Sequence, residues 1–187
     1  MDFPLHDVDS APENSPALLE AVARKFGFTP NLTRILAESP VALETYLTLN
    51  RLVESSSLTP GEQQVAILAT SVENRCTYCV AAHSAVAAMV GLPQEVLHAL
   101  REGGDLPDPK LNALALFTRG VVRGRGHVEA AGVRGFLDAG FSRRQLLEVL
   151  VAVTLKTLSN YTNHLAETPL DGEFSAQAWA PGATAGV

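Results

Sequence analysis

The sequence predicts an all-α protein, on three observations. Apolar residues recur at three- and four-residue intervals along most of the chain, and no run sustains the alternation of a strand. Cap residues, prolines and glycines also punctuate the chain at helical lengths. With 187 residues, 47% of them hydrophobic, the chain can bury one core and is short for two. We therefore expect a loose leader over residues 1–15, a single helical domain over 16–170 and an extended tail over 171–187, where Pro, Gly and Ala are frequent.

The elements follow in order. Ala17, Leu18, Leu19 and Val22 open a first helix that Gly27 stops. Pro30-Asn31 and Ser39-Pro40 bracket a short helix, and Val41 to Ser55 forms a longer one. Thr59-x-x-Glu62 is a capping box with Pro60 at the first helical position, opening a helix to about Asn74. The segment bearing both cysteines runs as a helix to Val90 and ends at Gly91. Further helices are expected from Pro93 to Arg101, from Pro109 (capped by Asp108) to Arg123, and from Val128 to Ala139 before Gly140. Ser142-x-x-Gln145 is a second capping box, opening a long helix to about Glu167. The two boxes, each behind an apolar residue (Leu58, Phe141), form a weak internal echo of two helical hairpins in which Cys76 aligns with Ser159. Gly103 to Asp108 is the expected hinge between the halves.

Composition narrows the function. The net charge is −6, and Arg119, Arg123, Arg125, Arg134, Arg143 and Arg144 are scattered among apolar residues, which argues against a nucleic-acid partner. Two cysteines three positions apart cannot staple a large loop, so no secreted disulfide scaffold is expected. The first fifteen residues lack a basic and an apolar region, so no signal peptide is expected. Val149 to Leu155, bounded by Glu148 and Lys156, is too short to cross a bilayer. A cytoplasmic protein without membrane contact is the expectation.

The chemistry concentrates in Cys76-Thr77-Tyr78-Cys79-Val80-Ala81-Ala82-His83. On a helix, at about 100° per residue, Cys76, Cys79 and His83 share an arc of roughly 60°. Thiols react as thiolates, and a nearby base or helix N-terminus lowers their pKa from about 8.5. A second thiol then captures a sulfenic acid before it over-oxidises. Other readings of these residues stay open: two core cysteines, or a zinc site with a distant fourth ligand such as His164. Covalent haem would need a histidine where Val80 stands.

With its flanks, the motif resembles the AhpD-like alkylhydroperoxidases of the carboxymuconolactone decarboxylase superfamily. The similar residues are Pro60 to Val65, Val72 to Ser84, Phe26 to Leu32, Ser39-Pro40 and Asn160 to Leu170, so the resemblance spans about Glu20 to Leu170. It implies an AhpD-like all-α fold, homo-oligomers, and peroxidase or disulfide-exchange activity at Cys76, Cys79 and His83 without metal or other cofactor. It also implies a peroxide substrate and re-reduction by a thiol or a lipoyl-bearing carrier protein. The family usually has a relay Glu twelve residues before the first cysteine, where this chain has Gln64. Glutamine can orient an imidazole but cannot take its proton. Glu62 is spent in its capping box, so Glu73 is the candidate replacement base.

The remaining candidates are fewer. Asn160 and His164, at i and i+4 on the last helix, are possible pocket residues, with a structural histidine as the simpler reading. His6, His98 and His127 read as solvated or loop residues, and Tyr78 as a packing or subunit contact. The expected function is a thiol-dependent peroxidase or disulfide reductase, with Cys76 favoured as the more exposed attacker. A carboxymuconolactone decarboxylase-like lyase and a non-catalytic helical assembly module are the alternatives.

Overall fold

The structure, a computed structural model, describes residues 3–182. Among these residues there are nine α-helices and no strand: α1 Ser15–Phe26, α2 Asn31–Leu36, α3 Pro40–Glu54, α4 Pro60–Glu73, α5 Thr77–Met89, α6 Gln94–Arg101, α7 Pro109–Arg123, α8 Ala130–Asp138 and α9 Arg143–Ala166. A 3₁₀ helix, Gly172–Gln177, follows. None of the described helices is long and apolar enough to cross a membrane.

Helix α4 is the axis of the domain. Every residue from Glu62 to Ser71 is buried, with α5, α6, α7 and α9 packed around it. Burial on all sides explains why this helix, from Val65 to Ser71, carries apolar or small residues around its whole circumference rather than on one stripe. Thr70 and Ser71 satisfy their hydroxyls on the carbonyls of Ala66 and Ile67, one turn back. Beyond α7, Phe136 lies between Phe117 and Phe141 with ring centroids 4.5 Å from each. That aromatic stack joins α8 and the start of α9 to the core.

Both capping boxes form reciprocally. The Thr59 amide donates to Glu62 Oε2 at 2.8 Å and the Glu62 amide to Thr59 Oγ1 at 3.3 Å. Ser142 and Gln145 repeat the exchange at 2.9 and 3.2 Å. After the boxes the echo diverges. The chain breaks after α4 and restarts as α5, whereas α9 continues unbroken, so Ser159 lies mid-helix where its counterpart Cys76 does not.

Three expectations need correction. The leader, expected to be loose, carries no helix before Ser15 but is fastened to α2. Arg34 donates to the carbonyls of Leu5 and His6 at 2.9 Å each, and the His6 ring meets Glu38 at 2.6 Å. The loop from Gly103 to Asp108, expected as a hinge, is tied down: the Leu106 amide donates to Asn112 and Arg119 to the Gly104 carbonyl. The tail, expected to be extended, winds into the 3₁₀ helix and straps down α5. Residues 1–2 of the leader and 183–187 of the tail lie outside the described residues.

The strap has two fastenings. Asp171 accepts from the Tyr78 hydroxyl at 2.5 Å and from the Asn31 amide at 3.0 Å, joining α5, α2 and the tail. Phe174 sets its ring edge-on to Phe28 and Tyr78. Further on, Arg101 donates to the carbonyls of Gln177 and Ala178, and the Trp179 indole returns a bond to the Arg101 carbonyl. The aromatic residues supply the apolar area that a Gly- and Ala-rich tail otherwise lacks.

Asp171→Ala leaves the buried Tyr78 hydroxyl and the Asn31 amide without their acceptor. The expected loss of stability is about 1–3 kcal/mol, measured by urea unfolding. A midpoint unchanged from the wild type would contradict this fastening.

Candidate functional site

The site begins at the break between α4 and α5. Arg75 bridges it in the left-handed region (φ 54°), a conformation costing a non-glycine residue about 1 kcal/mol or more. This turn sends the Arg75 side chain outward and Cys76 inward. The Cys76 amide donates to the Ser71 carbonyl at 2.9 Å. Its backbone is extended (φ −84°, ψ 97°), and the residue is the N-cap of α5. The expected helical arc therefore holds for Cys79 and His83, which are one turn apart on α5, but not for Cys76, which precedes the helix.

Both thiols are free and each is 1% exposed. The expectation that Cys76 is the more exposed of the two is thus corrected. Leu19, Leu32, Leu36, Leu43 and Tyr78 surround the sulfurs. From α9, the Asn163 amide donates to Cys79 Sγ at 3.2 Å and to Cys76 Sγ at 3.6 Å, while its own oxygen has no partner. The Ser159 hydroxyl lies 3.7 Å from Cys79 Sγ. One amide group thereby spans both sulfurs.

His83 is held at both ring nitrogens. Nδ1 is 3.0 Å from Gln64 Oε1 on α4, and Nε2 is 3.0 Å from Lys156 Nζ on α9. An amide oxygen only accepts, and an ammonium only donates. The proton therefore sits on Nδ1, and the Nε2 lone pair faces Lys156. Lys156 is 1% exposed.

These neighbours split the two thiols. Burial alone would raise the Cys79 thiol, but the hydrogen bond from Cys76, the Lys156 charge and the Ser159 hydroxyl hold it well below the ordinary thiol range. The hydrogen bond Cys76 gives to Cys79, its burial and the charge on Cys79 push the Cys76 thiol far up. Burial, then the Lys156 charge, keep His83 well below the ordinary imidazole range, so it is neutral near pH 7. The arrangement favours the thiolate at Cys79 over one at Cys76.

Of the expected site residues, Cys76, Cys79, His83 and Gln64 come together and Glu73 does not. Both Glu73 oxygens are taken by Arg123, at 2.7 Å each, so the carboxylate is not the replacement base. Asn160 is fully buried behind the site, accepting from Asn74 at 2.9 Å and donating to Ser71 at 3.5 Å, which braces the α4–α5 break. His164 is exposed and stacked on Tyr161, so it neither lines the site nor serves as a fourth metal ligand. Among the described residues, no group of three histidine, cysteine or carboxylate side chains is placed to hold a metal ion.

Sequence reasoning missed Lys156, Ser159 and Asn163. With Asn160 they occupy positions i, i+3, i+4 and i+7 of α9, a polar stripe in which all four residues are buried. That periodicity, in a helix long enough to cross the domain, was the available signal. An open cleft of about 370 Å³ lies on the leader side, lined by His6, Asp7, Val8, Leu19, Thr29 and Arg34. It shares Leu19 with the apolar surround of the thiols, but no thiol or imidazole of the site lines it.

Two substitutions separate the residues at the site from those beside it. Glu73→Gln, which breaks a pair with an exposed arginine, leaves the rate of thiol alkylation unchanged. Asn163→Ala removes a donor from both sulfurs and slows alkylation near neutral pH by about tenfold or more, as expected for a hydrogen bond to a charged group. Alkylation followed by mass spectrometry checks both, and the reverse order would contradict the geometry.

Residues 40–118, from α3 into α7, match the carboxymuconolactone decarboxylase family. No curated protein sequence matches the chain. Among solved structures, the chain is similar to an alkylhydroperoxidase AhpD core, an uncharacterized peroxidase-related protein from Ralstonia eutropha JMP134, with 23% identity, TM-score 0.79, and 92% of this chain and 93% of that one covered. A second, an uncharacterized peroxidase-related protein from Silicibacter sp. TM1040, has 19% identity, TM-score 0.78 and coverage of 93% and 92%. A third, a cysteine-to-alanine variant of the debrominase Bmp8 in complex with 2,3,4-tribromopyrrole, has 15% identity, TM-score 0.73 and coverage of 89% and 93%. The family match lies on the helices that carry the dithiol, and the chain shares the AhpD-like fold of these structures over nine-tenths of its length.

Proposed function

We propose that this protein is a thiol-dependent peroxidase or disulfide reductase that cycles Cys76 and Cys79 between dithiol and disulfide. One observation carries the reading: a single buried amide, that of Asn163, reaches both sulfurs, and the neighbours of Cys79 favour its thiolate while Cys76 keeps its proton. An inert pair of core cysteines has no need of such donors. Cys79 is then the attacking sulfur and Cys76 the resolving one.

In the first step, the Cys79 thiolate attacks the terminal oxygen of a hydroperoxide. The O–O bond breaks, Cys79 becomes a sulfenic acid, and the departing alkoxide takes a proton to leave as an alcohol. In the second, Cys76 attacks the Cys79 sulfur, its proton leaves with the hydroxyl as water, and the disulfide forms. A dithiol reductant then reopens the bond by exchange. A lipoyl-bearing carrier protein fits that role, since its dithiol closes on itself as it delivers two electrons. His83 does not take the Cys79 proton directly, because Gln64 and Lys156 occupy both its nitrogens; it orients the ammonium instead. Leu147, Leu150, Tyr161 and Leu165, all exposed on α9, support assembly into homo-oligomers.

The test is peroxide consumption with a dithiol reductant. Cys79→Ser should abolish turnover. Cys76→Ser should consume about one peroxide per chain and stop at a sulfenic acid that dimedone traps, because the resolving thiol is gone. Peroxide turnover that survives Cys79→Ser would overturn the reading.

A further inference from the structure

We propose that Lys156 is the standing counter-ion of a Cys79 thiolate, doing by fixed charge what a proton relay does elsewhere, and that this pair makes the Cys76–Cys79 disulfide strongly oxidising. The disulfide part rests on the dithiol cycle proposed above; the ion pair does not.

Lys156 is 1% exposed, and none of the ion pairs among the described residues includes it. Its ammonium meets a neutral imidazole at 3.0 Å. A buried ammonium with no anion is costly, so buried charges are paired. The carboxylates nearby are committed elsewhere: Glu62 to Lys110 and its capping box, Glu73 to Arg123, and Asp171 to Tyr78 and the Asn31 amide.

The groups facing Cys79 leave it alone as the candidate anion. From the α4–α5 turn comes Cys76, which holds its proton towards Cys79. From α5 itself comes His83, kept neutral, and from α3 comes Tyr46, whose hydroxyl is pushed up by burial and by the Cys79 charge. From α4 comes Gln64, which does not ionise, and from α9 come Ser159 and Asn163, both hydrogen-bonded to the sulfur. Lys156 precedes Ser159 by one turn on the buried stripe of α9 and lies 3.0 Å from the His83 ring, which makes it the cation beside Cys79, and its charge lowers that thiol.

Gln64 fits the same logic. A carboxylate at this position would favour an imidazolium at His83, which would then face the Lys156 ammonium at 3.0 Å. Glutamine keeps the ring neutral and fixes its tautomer, so its lone pair accepts from the lysine. The residue at 64 and the residue at 156 are therefore matched.

A consequence follows for the redox balance. Oxidation turns the thiolate into a neutral disulfide sulfur and leaves the Lys156 ammonium without its anion. Reduction by a dithiol restores the pair. Two electrons break the S–S bond, one proton goes to Cys76, one is released to solvent, Cys79 remains thiolate, and the reductant closes its own disulfide. A disulfide whose reduced form is stabilised in this way is a strong oxidant.

The experiment titrates thiolate ultraviolet absorbance against pH and measures the disulfide potential in a glutathione redox buffer, for wild type, Lys156→Met and Lys156→Arg. The wild type should keep its thiolate signal well below the ordinary thiol value of 9.0. Lys156→Met should move the midpoint up to that value and shift the redox equilibrium at least tenfold toward disulfide, about 30 mV for a two-electron couple. Lys156→Arg should retain most of both properties. If Lys156→Met fails to fold, Lys156→Gln replaces it, and the wild-type titration decides alone: a thiolate signal already lost at ordinary thiol pH overturns the ion pair. A Met variant that matches the wild type in midpoint and potential overturns it as well. If the wild type forms no disulfide at any buffer ratio, the dithiol cycle fails while the thiolate titration still judges Lys156.

Discussion

The site depends on one contact, between the buried polar stripe of α9 and the broken turn between α4 and α5. Lys156, Ser159, Asn160 and Asn163 fall on successive turns of a single straight helix, so their spacing is fixed by the helix and not by loops. Asn160 braces the turn through Asn74 and Ser71, Asn163 and Ser159 reach the sulfurs, and Lys156 reaches the imidazole. Each of these groups is buried, and each would be costly without its partner across the interface. The stripe and the turn therefore specify one another. If α9 slid by a turn, an ammonium and three polar side chains would lie against hydrocarbon.

The chemistry follows from an asymmetry the turn creates. Cys76 sits before the helix in extended backbone and Cys79 sits in its first turn, so the two sulfurs meet different surroundings although both are buried. The Asn163 amide lies nearer to Cys79 than to Cys76, and the Lys156 charge favours the thiolate at Cys79. A symmetric pair would share one proton without preference. In the proposed cycle this asymmetry assigns Cys79 as the nucleophile and Cys76 as the second thiol. His83 contributes by holding the lysine, and Gln64 by holding His83.

Much of the fold was legible because local signals agree with the tertiary structure. Both capping boxes open the helices they announce, and Gly27 ends α1 in the left-handed region as its place in the pattern requires. The cysteine pair and its histidine were visible by spacing alone. Four things were not. Arg75 adopts a left-handed conformation that no glycine advertises, so it was hidden that the second helix starts after Cys76 and leaves that residue in extended backbone. The leader and tail look unstructured by composition, yet Arg34 and Asp171 fasten them across long sequence separations that no local pattern encodes. Glu73, three residues before the first cysteine, is close in sequence but turned toward Arg123, since neighbours along a chain need not share a face. Lys156 was read as the polar end of an apolar run, although its place in a buried stripe is what gives it a role.

The most direct test of the account is the covalent state of the two sulfurs. The reduced protein is treated with one equivalent of peroxide, quenched with an alkylating agent and digested without reductant for mass spectrometry. The peptide spanning Cys76 and Cys79 should lose two hydrogens, escape alkylation, and recover both thiols after treatment with dithiothreitol. Two thiols still alkylated after that dose would contradict it.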